Sequence, residues 1–317
     1  MLVLFALNTN AQVQYPAAVH YIKLSIENKK VSMAYMDIAS PKPGGKTIVL
    51  LHGKNFNGYY WKNLIPFLTA AGFRVIIPDQ VGWGRSNKPD IHYSFHVLAL
   101  NTKKLLDSLK ISKAVILGHS MGGMLAIRFS LLFPGTVERL ILEDPIGLED
   151  YKTFVPYRRI EDAFAQEKKA TYASYKKYQQ GYYPEWKQEY EQYVEAQAEI
   201  LKKPGFEKAA WANALTSDMI YQQPVIYEAE RLTVPVMLVI GQADRTIVGK
   251  DLLTDSVKEQ HGNYPELARA LKSRIKNLLL VELPGIGHIP HIQDLQLFEN
   301  SILSFLNNQV DETKIAL

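Results

Sequence analysis

The 317-residue chain contains no cysteine. Disulfide cross-links, thiolate nucleophiles and cysteine metal centres are therefore excluded, while the redox compartment is left undecided. No apolar run approaches the roughly 20 residues that a membrane-spanning helix needs, so no membrane span is expected. An excess of one charge is missing too: 36 basic against 32 acidic side chains leave a formal +4, and the lysines fall in scattered pairs such as Lys29-Lys30 and Lys202-Lys203. Nucleic-acid recognition needs a clustered basic footprint, so nucleic acid is not an expected partner. Internal repeats and low-complexity tracts are also lacking. What is there, 47% hydrophobic and 21% charged residues, is the make-up of a globular protein with a large core.

Residues 2–7 (LVLFAL) form a short apolar run, and Thr9 and Ala11 are small where a signal peptidase would require it. Residues 1–11 are expected to be a signal-peptide remnant cleaved before Gln12, giving an exported (periplasmic or secreted) protein. The run lacks a basic n-region, which would place the start of such a signal upstream.

Beyond that point the periodicity is that of strands and helices in alternation. Alternating residues before and after Asn28-Lys29-Lys30 read as an antiparallel hairpin. Short runs rich in Val, Ile and Leu follow at 47–51, 73–77, 114–117, 137–142, 236–240 and 278–283. Continuous apolar runs of strand length suit a parallel sheet buried on both faces. Helical patterns at about 60–71, 95–109, 121–133 and 295–306 lie between them, which predicts a doubly wound α/β architecture. The alternation stops over 147–232, a Tyr-rich, mostly helical stretch interrupted by Pro156, Pro184, Pro204 and Pro224.

The most specific motif is Gly118-His119-Ser120-Met121-Gly122-Gly123, a G-x-S-x-G placed directly after an expected strand and before an expected helix. A serine on so sharp a turn holds its Oγ above the sheet edge, and the glycines allow the close backbone approach. Ser120 is the expected nucleophile. A serine hydroxyl is weak at neutral pH, so it needs a base, and the base needs an orienting acid. His288, in the loop after the last strand, is the candidate base. Asp244, in the turn after the preceding strand, is the candidate acid, favoured over Glu143 and Asp144 at the end of the run 137–142, the sixth strand when the hairpin is counted. The order Ser, Asp, His suits such a fold.

These motifs, with His52-Gly53, the loop from Asp79 to Ser86 (DQVGWGRS) and Gly285-Ile286-Gly287-His288, resemble the α/β-hydrolase superfamily from about residue 20 to 306. The resemblance implies a mostly parallel sheet with an N-terminal antiparallel hairpin, a core made of 12–146 and 233–317, and a helical cap, 147–232, inserted after the sixth strand. It makes the chain a capped, esterase-like serine hydrolase. The oxyanion donors would be the backbone N–H groups of Lys54 and Met121. Serine in place of aspartate argues against epoxide hydrolases and haloalkane dehalogenases, whose nucleophile is an aspartate. The leading expectation is hydrolysis of a small apolar or aromatic carboxylic ester through an acyl-enzyme, with no cofactor and no metal. The alternatives are a C–C bond hydrolase of ketone-containing substrates, against which His119 and the Lys54-Asn55-Phe56 loop weigh, and a non-catalytic receptor on the same fold. Asp79 is read as a structural turn carboxylate, His291 as a local structural residue despite its H-x-x-H spacing from His288, and His52 and His119 as packing beneath the motifs.

Overall fold

The computed structural model describes residues 13–42 and 45–307; the expected signal segment, 1–11, lies outside them. Strands β1 (Val19–Ile26) and β2 (Lys29–Ile38) form the hairpin, turning at Glu27 and Asn28, both in the left-handed region. Then come β3 (Thr47–Leu51), α1 (Ile65–Ala70), β4 (Arg74–Pro78), α2 (Phe95–Ser108), β5 (Ala114–His119), α3 (Met121–Leu132) and β6 (Val137–Glu143). Four helices follow without a strand: α4 (Ile160–Glu167), α5 (Tyr172–Gln180), α6 (Glu191–Ala198) and α7 (Phe206–Gln222). The chain then returns through β7 (Val236–Gly241), α8 (Asp255–Gln260), α9 (Tyr264–Arg274), β8 (Leu278–Leu283), α10 (Pro290–Gln293) and α11 (Leu295–Leu306).

The eight strands form one sheet in the order β1-β2-β4-β3-β5-β6-β7-β8. β2 pairs antiparallel with β1 and β4, and the remaining pairs are parallel. Alternate residues along each central strand enter two different cores. Val49, Ile76, Ile116, Leu140 and Leu238 join Leu98, Leu105 and Ile127 of α2 and α3 on one face. Ile48, Val75, Val115, Ile141 and Met237 join Leu68 of α1 and Phe298, Ile302 and Phe305 of α11 on the other. Burial on both faces explains the uninterrupted apolar runs. After β3 the chain steps to β4 on one side, then crosses back to β5 on the other. Ligands of parallel sheets bind at such a switch point, beyond the carboxyl ends of the strands.

Two expectations need correction. The helical pattern at 60–71 is a 3₁₀ turn, Gly58–Trp61, followed by the separate short α1. Pro66 stands in the first turn of α1; a proline has no N–H to donate and clashes with the preceding turn, so the helix starts there rather than running through. The pattern also named no helix between β7 and β8, where α8 and α9 lie. Tyr264, Ala268 and Leu271 bury one face of α9 at helical spacing, and buried Ile275 follows just past its end, a signal that was present in the sequence.

Candidate active site

Ser120 occupies the turn between β5 and α3 with φ 55° and ψ −121°, a conformation that L-residues rarely adopt. The surroundings force it. Ser120 N–H donates to the Glu143 carbonyl (3.1 Å), while its own carbonyl accepts from Gly123 N–H (2.8 Å). A Cβ on Gly118 would strike the Gly122 carbonyl, and one on Gly122 would strike the Leu51 carbonyl of β3. The glycines therefore let β5, α3 and the loop after β3 approach at backbone distance.

His288 comes from the loop between β8 and α10, where its N–H donates to the Tyr182 carbonyl (2.8 Å). Its Nε2 lies 3.0 Å from Ser120 Oγ and its Nδ1 2.7 Å from Asp244 Oδ2. A carboxylate can only accept, so Nδ1 carries the proton and Nε2 is free to accept the serine proton. Asp244 stands in a turn just past β7, where its other oxygen accepts from Thr246 N–H (2.9 Å). Burial alone would raise the Asp244 carboxyl, but the His288 charge and the hydrogen bonds from His288 and Thr246 outweigh it and hold it below the usual range. The structure thus brings together the three residues singled out from the sequence.

The competing acids sit one strand over and are committed elsewhere. Glu143 Oε1 accepts from both the backbone N–H (2.9 Å) and Nδ1 (2.8 Å) of His291, whose ring stacks on Trp61 with centroids 4.3 Å apart. Asp144 accepts from Gly241 N–H (3.0 Å) and shares a buried cluster with Asp244 and His288, their facing atoms within 4.8 Å of one another. Burial first, then the Asp244 and Glu143 charges, push its carboxyl well above the usual range. The two neighbouring carboxyls are thus pushed in opposite directions, Asp144 toward its protonated form and Asp244 toward its ionised one.

Lys54 and Met121, the two candidate oxyanion donors, flank the serine. Met121 is the first residue of α3, where helix N–H groups lack intrahelical acceptors. Gly53 packs so closely that a Cβ there would lie 3.0 Å from Ser120 Cβ. This loop is clamped: Gln80 N–H donates to His52 Nε2 (3.0 Å), and Gly53 N–H donates to Tyr60 Oη (2.9 Å). Tyr60 in turn faces His119 Nδ1 (3.2 Å), and His119 Nε2 donates to the His288 carbonyl (2.8 Å). Burial, then the neighbouring His288 and His291 charges, hold His119 well below its ordinary value, so it relays hydrogen bonds as a neutral ring. Asp79 accepts from Gly58 N–H, Arg85 N–H and Tyr15 Oη, all at 2.7 Å, and so fixes its own loop.

Sequence reasoning missed Tyr60, Thr246 and Tyr182. Tyr182, from the helical segment, holds the His288 backbone and stacks on its ring (centroids 4.9 Å). No motif marks it among so many tyrosines. Ser120 lines a cavity of about 400 Å³, together with the polar Lys54, Asn55 and Tyr182 and the apolar Ile146, Val155 and Ala163.

A profile of the alpha/beta hydrolase family matches residues 48–300. Among solved structures, a probable hydrolytic enzyme of Pseudomonas aeruginosa PAO1 is 44% identical with a TM-score of 0.90, covering 92% of this chain and 95% of that one. An AB hydrolase superfamily protein of Bacillus subtilis is 27% identical over 290 residues, 86% of this chain and 93% of its own length. An uncharacterized protein of Mycobacterium tuberculosis is 42% identical over 104 residues; that match spans 33% of this chain and 30% of the relative. With a family profile running through the strands, the serine turn and the histidine loop, the chain belongs to the alpha/beta hydrolase family.

Proposed function

We propose that the protein is a serine hydrolase that cleaves a carboxylic ester through an acyl-enzyme intermediate, with residues 147–232 acting as a cap over the substrate. The observation that carries this reading is the continuous hydrogen-bonded chain Asp244–His288–Ser120 opening onto the cavity. In the first step His288 Nε2 takes the Ser120 proton as Oγ attacks the ester carbonyl. The developing oxyanion is met by the Lys54 and Met121 N–H groups, each such donor being worth roughly 3 to 4 kcal/mol. The imidazolium, stabilised by Asp244, then protonates the departing alcohol. Water, deprotonated by the same nitrogen, attacks the acyl-enzyme and releases the acid and free Ser120.

The mostly apolar wall, including Val155 and Ala163 from the proposed cap, supports apolar or aromatic acyl groups. Stoichiometric labelling by a serine-directed organophosphorus reagent, with the adduct mapped by peptide mass, is expected on Ser120. Multiple turnover of neutral esters, lost in Ser120→Ala, separates an enzyme from a binding protein. An adduct on another serine, or no turnover across a graded ester series, would overturn the reading.

A further inference from the structure

Lys54 contributes more than its backbone. Its N–H belongs to the loop against Ser120, and its four-carbon stem carries the ammonium into the same cavity. The side chain is only 16% exposed. Its charge partner is Glu167 of α4, whose Oε1 stands 3.9 Å away, beyond hydrogen-bond reach. Glu167 cannot easily close that gap, because its other oxygen accepts from Asn213 Nδ2 (3.2 Å) on α7. Among the described residues no acceptor lies within hydrogen-bond distance of the Lys54 ammonium. Burial lowers the Lys54 amine from its ordinary value and Glu167 offsets this in part, the signature of a cation short of partners. The other two cations at the cavity are placed differently: Arg158 is paired with Asp251, and Lys169 is exposed. Apolar side chains, among them Ile146, Val155 and Val248, line the same cavity.

We propose that the Lys54 side chain anchors a carboxylate on the substrate, so that the preferred esters pair an apolar body with a negative charge a few bonds from the scissile carbonyl. This rests on the hydrolase reading above. A carboxylate there would supply the acceptors that the ammonium lacks, and Glu167 would act as the counter-charge that holds the lysine extended when the cavity is free.

The test is the ratio of kcat/KM for the 4-nitrophenyl hydrogen esters of succinic, glutaric and adipic acids to that for neutral 4-nitrophenyl alkanoates of matched length. Lys54→Met is expected to lower the best of these ratios at least about tenfold, the worth of one charge-assisted hydrogen bond, whatever change is common to both substrates. Lys54→Arg should recover most of the ratio, and Glu167→Gln should raise it. A ratio that moves less than about threefold in Lys54→Met throughout the series, less than a kcal/mol, would overturn the inference and leave the lysine as general support for the oxyanion. Calorimetric binding of glutaric monoanilide and pentananilide to Ser120→Ala, with and without Lys54→Met, reads the same discrimination without turnover. A protein that binds the anionic ligand through Lys54 but cleaves no ester would defeat the hydrolase reading alone.

Discussion

The floor and the roof of the cavity are built by different means. On the floor, at the carboxyl edge of the sheet, every group of interest is fixed by backbone: Ser120 by the strand-to-helix turn, Asp244 by its own turn and Thr246 N–H, and His288 by the Tyr182 carbonyl. The roof, meaning the cavity walls contributed by residues 147–232, is made of side chains: Val155 ahead of α4, Ala163 on α4 and Tyr178 on α5 line the cavity, and α5 also carries the exposed Tyr172. A position fixed by backbone tolerates few residue types, whereas one fixed by packing tolerates many of the right volume. On the proposed function, the chemistry would be held on the first kind of surface and selectivity would be open to change on the second.

Glycine substitutions break this contrast most sharply. Gly122→Ala on the floor drives a Cβ into the Leu51 carbonyl and within 2.8 Å of the His52 carbonyl, both backbone and unable to move aside. We expect a loss of more than about 4 kcal/mol, seen as little or no folded protein in thermal unfolding. Gly205→Ala at the start of α7 meets nothing within 4 Å and should stay within about 0.5 kcal/mol of the parent. Equal effects at both sites would erase the distinction.

Next in size are the acids. Asp244→Asn keeps the shape of the turn but removes the charge that holds the Nδ1 proton and stabilises the imidazolium, so kcat should fall about 10⁴-fold in steady-state ester hydrolysis. Glu143→Gln should cost far less, because Glu143 serves His291 and not His288. A large loss in Glu143→Gln with a mild Asp244→Asn would move the acid to β6.

The same contrast explains what could be read from the sequence. The strands announced themselves because burial on both faces requires unbroken apolar runs, and the serine turn because steric exclusion requires glycine at fixed offsets. The Ser120, Asp244 and His288 positions followed from the order of these turns along the chain. The acid was harder to place, since Glu143, Asp144 and Asp244 all end neighbouring strands and their partners are set by tertiary geometry. Tyr182 and the Lys54–Glu167 pair were beyond reach, because each depends on how a helix of 147–232 lies over the sheet edge, and helical periodicity does not give that placement. Pro66 was legible but was passed over within a longer helical pattern.

Changing the roof should alter selectivity more than chemistry. Ala163, buried on α4, lines the cavity, so a phenyl ring in its place would take up cavity volume. Ala163→Phe is expected to lower kcat/KM for hexanoate or aryl esters roughly tenfold relative to acetate, within the range that a pocket of changed size commands. The parent should favour the apolar and aryl esters over acetate. Equal kcat/KM for all of them in both proteins would detach the roof from specificity.

The smallest effect concerns Asp144, which lies on the floor yet is proposed to take no proton from substrate. Its carboxyl is raised in the folded protein by burial and by the Asp244 and Glu143 charges. A carboxyl with a raised folded-state value contributes stability that is fully present below the ordinary carboxylate range, and that contribution is lost as pH rises through the raised value. Asparagine has no proton to lose, can still accept from Gly241 N–H, and can offer an N–H where the protonated acid offers its O–H. Asp144→Asn should therefore gain stability relative to the parent as pH climbs from the acid side, while kcat for ester hydrolysis falls by less than about tenfold, against the far larger loss in Asp244→Asn. Melting temperatures of the two proteins between pH 4 and 9 read the first effect. A difference that stays flat across that range would mean that Asp144 is ionised beside Asp244, with the proton of the cluster held elsewhere.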